Sequence, residues 1–381
     1  MADNDSYDLF ALQAKINSYY RTISSASLSS IASVILVVMI LKSGTGLSTP
    51  YRRIIFALSL GDVLVSLGYI TGPFSAPEGT SSAPWGVGNT HSCNANAFAK
   101  VYGEVAVQLY TVLICLYFYC KLNRKMSNST FYEKIEKKAH AFIILFTSVV
   151  CFSALFTKTF NPLPSGSTCG FSRYPDRCQF TNSCTRGTLG LIYVFLVSFV
   201  LVFLCFIGIS IFMVLLCIEA YKREKLMRSA NPDDEQIMSC FSCNSFRAQR
   251  KEDEPLSDYM LRIYKRETFI HALMYISYFA FVHTLPHSVL TLLYLLRRPI
   301  SRVLASYFGI IYPAMGVFNI LIYTRPKVKI LLWAHPNLSR LVAFLLVVKN
   351  GGDLRANEDL NLCRCCVPRQ GELDRDPMSG F

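Results

Sequence analysis

The stretch Tyr312–Pro326, YPAMGVFNILIYTRP, decides the fold class of this chain. It is an apolar run with polar side chains placed inside it, among them Asn319 and Tyr323. Basic residues follow at its end, at Arg325 and Lys327. This pattern is typical of the end of a membrane-spanning helix, where the apolar run stops at a cationic surface.

The composition of the 381-residue chain also indicates a membrane protein. Hydrophobic residues make up 52% of it and charged residues only 17%, which is too few charges to solvate a water-soluble globule of this size. The net charge of +13 is spread between apolar runs and is not gathered on a separate domain, which argues against a nucleic-acid-binding protein. We therefore expect membrane lipids as partners and no nucleic acid.

Seven apolar segments are long enough to cross a hydrocarbon core, which needs roughly 20 residues at about 1.5 Å of helical rise each. Because the bilayer core offers no water to the backbone, these segments must be helices. The predicted fold is an all-α, seven-transmembrane helix bundle at residues 22–323, with an inner loop at residues 221–266 and a tail at residues 324–381. The predicted spans are Thr22–Leu41, Ile54–Thr71, Ala97–Cys120, Ala139–Thr157, Thr188–Ile218, Thr268–Leu296 and Arg302–Tyr323.

The distribution of lysine and arginine predicts the orientation of the bundle. Of the 38 such residues, 28 lie on one side of the predicted spans. The short connections on that side are basic, whereas the connection Thr71–Ala97 on the other side has neither lysine nor arginine. By the positive-inside rule the basic side is cytoplasmic. We expect an extracellular amino terminus, residues 1–21, and a cytoplasmic carboxyl terminus, in the plasma membrane.

Three further features predict modification or attachment outside the spans. The triplet NDS makes Asn4 a candidate glycosylation site on the predicted extracellular side. Cys363, Cys365 and Cys366 crowd the predicted tail and are candidates for reversible acylation. The segment Arg325–His335 combines basic and apolar residues, which predicts an amphipathic helix lying on the inner leaflet.

Four cysteines lie on the predicted extracellular side, where the compartment is oxidising and an even number of cysteines indicates disulfides. They are Cys93, Cys169, Cys178 and Cys184. Four cysteines allow three pairings, of which we favour Cys93–Cys169 with Cys178–Cys184. A bridge from the start of the third span to the following outer loop would hold a lid over the outer mouth of the bundle.

Four polar residues in the outer half of the bundle are candidate ligand contacts. Lys100 and Glu104 are four residues apart and therefore share one helical face. Either they neutralise each other, or Lys100 presents its ammonium to an acidic ligand while Glu104 holds it in place. His283 and His287 flank Pro286 on one face of the sixth span, and each is either a satisfied interior donor or a ligand contact. We expect no cofactor and no metal.

A second polar set is expected deeper in the bundle. Asp62 at membrane depth costs roughly 2.5–3.5 kcal/mol, so it should face the interior. It is either a protonated or hydroxyl-bonded group that only locks helices together, or a site whose occupancy changes when the bundle rearranges. Pro286 removes a backbone hydrogen bond and favours a kink. We predict that Asn319 faces Asp62 across the bundle and forms a switch with it, with Tyr323 at the inner end.

These residues together resemble the G-protein-coupled receptor superfamily, and the resemblance covers essentially all seven predicted spans. LSLGD, which ends at Asp62, is similar to the second-span LxxxD signature of that superfamily. Cys93 is similar to the cysteine at the start of the third span that is bridged to the second outer loop. Pro286 is similar to the hinge proline of the sixth span.

The closer resemblance is to receptors of the cyclic-AMP-receptor and fungal glucose-sensor type. CNANAF, from Cys93 to Phe98, is similar to their CxxQxF opening with Asn in place of Gln. The stretch Tyr312–Pro326 is similar to their seventh-span ending P-x-x-G-x-x-N-x-x-x-Y-x-x-P. The matching residues in this chain are Pro313, Gly316, Asn319, Tyr323 and Pro326.

Three departures limit the resemblance. The inner end of the third span reads LYFYCKLNR and lacks the Asp/Glu-Arg-Tyr triplet. Ile320 stands where rhodopsin-like receptors have the proline that follows Asn319. The predicted seventh span contains no lysine, which rules out a retinal Schiff base there and argues against an opsin.

The resemblance implies a receptor, not an enzyme, that couples a small extracellular ligand to a heterotrimeric G protein. Ligands of this family would include a cyclic nucleotide, a sugar or an amino acid, and Lys100 favours an acidic one. The surface facing the G protein is assigned to Lys121, Arg124, Lys265, Arg266 and Arg325.

Two other classes of function compete with a receptor. A transporter or channel would use the polar residues of the spans as a path for a solute or for protons. Transporters of this size usually carry an internal repeat with broken helices in corresponding positions, and the sequence has neither. A membrane enzyme would use His283 and His287 as metal ligands, but no acidic co-ligand completes a recognisable set.

Overall fold

A computed structural model describes most of the predicted bundle. It covers residues 2–44, 46–80, 83, 85–163, 168–175, 178, 183–229, 269–270, 272–296, 307, 309–335 and 337–351. Within these residues the protein is mostly helical, and six helices are long and apolar enough to cross a membrane. They are α1 (Ala2–Lys42), α2 (Pro50–Ser75), α3 (Thr90–Leu122), α4 (Asn128–Phe156), α5 (Gly190–Lys222) and α6 (Ala272–Leu293).

The first helix is longer than the sequence predicted. Its apolar portion, Tyr19–Lys42, agrees with the predicted first span, but the helix itself begins at Ala2. Residues 2–21, predicted as a separate polar amino terminus, therefore continue the helix, and Asn4 lies in its first turns. Polar residues such as Gln13 and Asn17 interact along the helix at i, i+4, which favours its extension beyond the apolar run.

A further helix, α7 (Met315–Ala334), follows a 3-10 turn at Tyr312–Ala314 and packs against α1 and α2. The prediction of a separate amphipathic helix at Arg325–His335 is wrong, because these residues form the last turns of α7. The chain leaves the helical conformation only at His335, with φ −133° and ψ 80°, as expected for a residue that precedes a proline.

A separate short helix, α8 (Arg340–Lys349), follows α7 in the chain and is apolar between its two basic ends. The Ser339 hydroxyl accepts a hydrogen bond from the Val342 amide and caps its first turn. Ala343 and Val347 are buried against the bundle, whereas Leu341 and Leu345 are exposed.

The connection between α4 and α5 contains a two-stranded antiparallel sheet, which the sequence did not predict. Strand β1 (Phe160–Pro162) pairs with β2 (Cys169–Phe171), with Phe160 opposite Phe171. Disulfides join Cys93 to Cys169 and Cys178 to Cys184, the pairing favoured from the sequence. The first bridge fixes β2 to the start of α3, so the hairpin covers what we call the hairpin end of the bundle.

The hairpin is also held by hydrogen bonds to α2 and α3. The Thr168 hydroxyl donates to Asn96 Oδ1 at 3.1 Å. The amide nitrogen of Asn96 in turn donates to the Gly68 carbonyl and to the Thr71 hydroxyl, both at 3.0 Å. Asn96 and Thr168 are buried, so these hydrogen bonds satisfy polar side chains that have little access to water.

The opposite end of the bundle carries an ion pair between helices distant in sequence. The guanidinium of Arg53, in the first turn of α2, donates to both carboxylate oxygens of Glu136 in α4, at 2.6 and 2.8 Å. His140 lies 3.5 Å from the same carboxylate and contacts the Tyr110 hydroxyl of α3 at 2.9 Å. One chain of contacts thus ties α2, α3 and α4 together, and we call this side the Arg53 end.

Candidate functional site

The four residues predicted as ligand contacts lie in two groups near the hairpin end. Lys100 and Glu104 project from α3, and the Lys100 side chain is only 4% exposed. A Cβ atom on Gly68 would lie 2.6 Å from the Lys100 Cβ, so the absence of a side chain at Gly68 makes room for the lysine stem between α2 and α3. The helix packing itself therefore determines where the Lys100 ammonium lies.

Lys100 and Glu104 face each other without a close hydrogen bond. Lys100 Nζ lies 3.9 Å from Glu104 Oε1 and 5.1 Å from the centre of the Tyr69 ring. The Tyr69 hydroxyl donates to Glu104 Oε1 at 3.4 Å. A Cβ on Gly170 of β2 would lie 3.4 Å from Lys100 Nζ, so the hairpin lies directly above this ammonium.

The histidine group lies on α6. His287 Nδ1 contacts the His283 carbonyl oxygen at 2.8 Å; because a carbonyl only accepts, this nitrogen carries the proton. In the neutral ring Nε2 is then an acceptor, and the Tyr312 hydroxyl donates to it at 3.1 Å. His283 is fully buried, and neither ring nitrogen has a hydrogen-bond partner among the described residues.

Two tyrosines join the groups and were missed as site residues from the sequence. The Tyr69 ring contacts the Tyr312 ring edge-to-face at 5.9 Å, so contacts run from Lys100 and Glu104 through both rings to His287. Tyrosines in an apolar run usually indicate packing, which explains the omission. Tyr69 lies seven residues, two helical turns, after Asp62, and this shared face was the available signal.

The stem pocket of Lys100 yields a prediction about packing. Gly68→Ala is expected to lower the free energy of unfolding by about 1–3 kcal/mol through overpacking against Lys100. Gly208→Ala is a matched control, because a Cβ there would meet only Val112 Cγ1 at an ordinary 3.7 Å. Thermal unfolding of the purified protein measures both. Equal unfolding temperatures for the two variants would contradict the close α2–α3 contact.

The structure brings Asp62 and Asn319 together in the middle of the bundle. Asn319 Nδ2 on α7 donates to Asp62 Oδ2 on α2 at 2.6 Å. Asp62 is 1% exposed, and its other oxygen, Oδ1, has no hydrogen-bond partner among the described residues. This hydrogen bond connects α2 and α7 through two residues that are 257 positions apart in sequence.

The other two predicted switch residues lie on either side of this bond. Pro286 follows a π-helical segment of α6, Ala280–Thr284, and the Tyr307 hydroxyl donates to the Phe281 carbonyl at 3.0 Å. The Tyr307 hydroxyl therefore binds a backbone carbonyl in the turn before Pro286, where the regular α-helical hydrogen bonds are interrupted. Tyr323, nearer the Arg53 end, stacks on the Tyr51 ring at 6.0 Å.

The basic residues assigned to a partner surface are only partly described. Arg124 is exposed after the end of α3, and Arg325 is partly exposed on α7. Lys121 is only 7% exposed, because it lies within the last turn of α3. Lys265 and Arg266 lie outside the described residues, as do Cys363, Cys365 and Cys366 of the tail.

No group of three or more His, Cys, Asp or Glu side chains that could hold a metal ion occurs among the described residues. No protein-family model matches the chain, and no curated protein matches it. Function is therefore inferred from the polar residues inside the helices.

Proposed function

We propose that this protein is a cell-surface, seven-helix receptor that couples binding of a small extracellular ligand to a heterotrimeric G protein. The observation that carries the proposal is a polar site beneath the hairpin, followed deeper in the bundle by the buried Asp62–Asn319 bond. Polar groups at membrane depth are unfavourable, and a helical bundle that retains them in two layers uses them for function. The first layer would bind the ligand, and the second would respond to it.

In this proposal α7 is the seventh crossing. It packs closely on α1, because the Gly316 amide donates to the Ser29 hydroxyl at 2.9 Å. A Cβ on Gly316 would lie 2.5 Å from the Ser29 carbonyl oxygen, so a larger residue would separate the helices. The hairpin end would then face outside and the Arg53 end the cytoplasm, as the positive-inside rule predicts.

The conformational change would centre on α6. Its π-helical segment and Pro286 interrupt the regular hydrogen-bond ladder next to His283 and His287. A ligand shifts an equilibrium only through its different affinities for the two states. An outer ligand that contacts Tyr312 or His287 would favour one inclination of α6, and α7 would transmit the change to Asn319. The G protein would meet Arg124 and Arg325 at the Arg53 end, together with Lys121 once the movement of α6 exposes it.

A transporter remains the alternative, favoured by one observation. Five ionisable side chains lie within the helix bundle, as they would along a path for protons or a solute. They are Lys100, Glu104, Asp62, His283 and His287. Transport requires that the path open in turn at each end. The disulfide-anchored hairpin covers one end of the bundle. This favours a receptor site, which a ligand enters and leaves from the same side, over a transport path.

Reconstitution distinguishes the two functions. The purified protein in lipid nanodiscs is expected to accelerate nucleotide exchange on a panel of G-protein α subunits in the presence of its ligand, relative to empty nanodiscs. In sealed proteoliposomes the same preparation is expected to carry no ligand flux and no current. Flux without any exchange on the panel would replace the receptor with a transporter.

A further inference from the structure

We infer that the ligand of the Lys100–Glu104 site, defined as Lys100, Glu104, Tyr69 and Tyr312, is a small α-amino acid bound as a zwitterion. This inference rests on the proposed function, since it names the ligand class of the same site. Its carboxylate would bind the Lys100 ammonium, and its ammonium would bind the Glu104 carboxylate.

The starting observation is that the Lys100 side chain is 4% exposed and the Glu104 side chain 14% exposed, and that neither charge has a close ion-pair contact within the described part of the chain. A charge-assisted hydrogen bond is about 2.7–2.9 Å long, whereas Lys100 Nζ and Glu104 Oε1 are 3.9 Å apart. Among the described residues no other carboxylate approaches Lys100, and the one hydrogen bond to Glu104, from Tyr69, is long at 3.4 Å. Enclosed charges are unfavourable unless they are paired and hydrogen-bonded. Donors of the ammonium and lone pairs of the carboxylate are therefore available to a ligand.

The charge balance favours a zwitterion over a simple anion. An anion would satisfy Lys100 but would place its negative charge beside Glu104, which like-charge repulsion opposes. A simple cation would satisfy Glu104 but would be repelled by the positive charge of Lys100. A zwitterion placed antiparallel to the pair forms two ion pairs and leaves the net charge of the site unchanged.

The spacing favours an α-amino acid among zwitterions. The amino nitrogen and the nearer carboxylate oxygen of an α-amino acid are about 3 Å apart, from standard bond lengths. This matches the 3.9 Å between Nζ and Oε1 better than the longer separation of an extended ω-amino acid. Each ligand charge can therefore face one protein charge at the same time.

The surroundings limit the size of the ligand. Gly170 of the hairpin lies directly above Lys100 Nζ. The space between the hairpin and the Lys100–Glu104 pair therefore admits only a small ligand. The Tyr69 ring, 5.1 Å from Nζ, and the Tyr312 ring form an aromatic wall that favours a cationic group. Tyr312 is fixed by its hydrogen bond to His287, so this wall is in place before the ligand binds.

Binding of matched probes to the purified full-length protein tests the inference. The probes are the α-amino acids, their α-hydroxy-acid analogues, which lack the ammonium, and the corresponding amines, which lack the carboxylate. Thermal stabilisation and calorimetry are expected to identify at least one α-amino acid whose two analogues each bind about tenfold or more weakly. A hydroxy acid or amine that binds as tightly as the amino acid would overturn the inference, as would a panel in which no amino acid binds.

Two neutralising variants locate the site. Lys100→Gln and Glu104→Gln are each expected to weaken amino-acid binding about tenfold to a hundredfold. Glu104→Gln should spare the hydroxy acid, and Lys100→Gln should spare the amine. Lys158→Gln and Glu78→Gln are matched controls, since both residues are exposed near the hairpin end. Unchanged amino-acid affinity in either a folded Lys100→Gln or a folded Glu104→Gln protein would contradict the assignment.

These binding measurements need no G protein, so the two proposals fail separately. Amino-acid binding with the expected variant effects, but without nucleotide exchange on any α subunit, would refute the receptor and leave the ligand class in place. Exchange driven by a ligand of single charge, with no amino-acid binding, would refute the ligand class and leave the receptor in place.

Discussion

Asn319→Ala is expected to reduce ligand-driven nucleotide exchange about tenfold to a hundredfold. The variant removes the one described hydrogen bond of the buried Asp62 carboxyl group, from Asn319 Nδ2 at 2.6 Å. Hydrogen bonds to charged groups contribute about 1.5–3 kcal/mol, and an energy of that size shifts a two-state equilibrium by about this factor. Exchange rates at equal receptor concentration, with thermal unfolding alongside, measure the effect.

The reciprocal variant Asp62→Asn/Asn319→Asp is the control, because it keeps one carboxylate and one amide at the same two positions. It is expected to recover a large part of the lost exchange, whereas Asp62→Asn alone should not. Exchange and unfolding temperature both unchanged in Asn319→Ala would reduce Tyr312–Pro326 to a helix-packing motif.

Arg53→Met is expected to lower the free energy of unfolding by about 3–5 kcal/mol. Arg53 forms a two-pronged ion pair with Glu136, whose side chain is only 1% exposed. Removal of Arg53 leaves the buried Glu136 carboxylate with only His140, 3.5 Å away, beside it, and the loss of one partner is the costly case for an enclosed ion pair. The double variant Arg53→Met/Glu136→Met removes both charges and is expected to be less destabilised than the single one.

Lys137→Met serves as the matched control at the same end of the bundle. Lys137 lies over the Tyr132 ring at 4.5 Å, an exposed cation–π contact worth about 0.5–1 kcal/mol. Thermal and denaturant unfolding of the wild type, Arg53→Met, Glu136→Met and the double variant gives the coupling energy between Arg53 and Glu136. Equal losses for Arg53→Met and Lys137→Met would show that the ion pair contributes little.

The sequence predicts well those features that follow from the cost of placing polar groups in an apolar environment. Apolar length identifies six helices because a bilayer admits no unsatisfied backbone, and their centres agree with the predicted spans. Asp62 and Asn319 are predicted to meet because a buried carboxyl group needs a partner, and few polar residues occur at that depth. The Cys93–Cys169 bridge belongs to the pairing that was favoured among the three that four cysteines allow.

The sequence does not predict contacts between segments that are distant in the chain, nor very short or unusually long elements. Glu136 looks like one more charge in a basic loop until Arg53, 83 residues earlier, is placed beside it. The hairpin at Phe160 is too short to produce a periodic pattern of its own. The end of α7 was misplaced because Arg325 and Pro326 both suggest a helix end, yet the helix continues to Ala334.

The anchoring of the hairpin has a consequence for kinetics. In the proposed receptor, a ligand of the Lys100–Glu104 site would have to pass a lid held covalently at Cys169 and by the Thr168–Asn96 hydrogen bond. Such a lid slows arrival and departure by the same factor and leaves the affinity unchanged. The residence time of such a ligand would be long for its size, and a brief pulse of ligand would produce a response that outlasts the pulse.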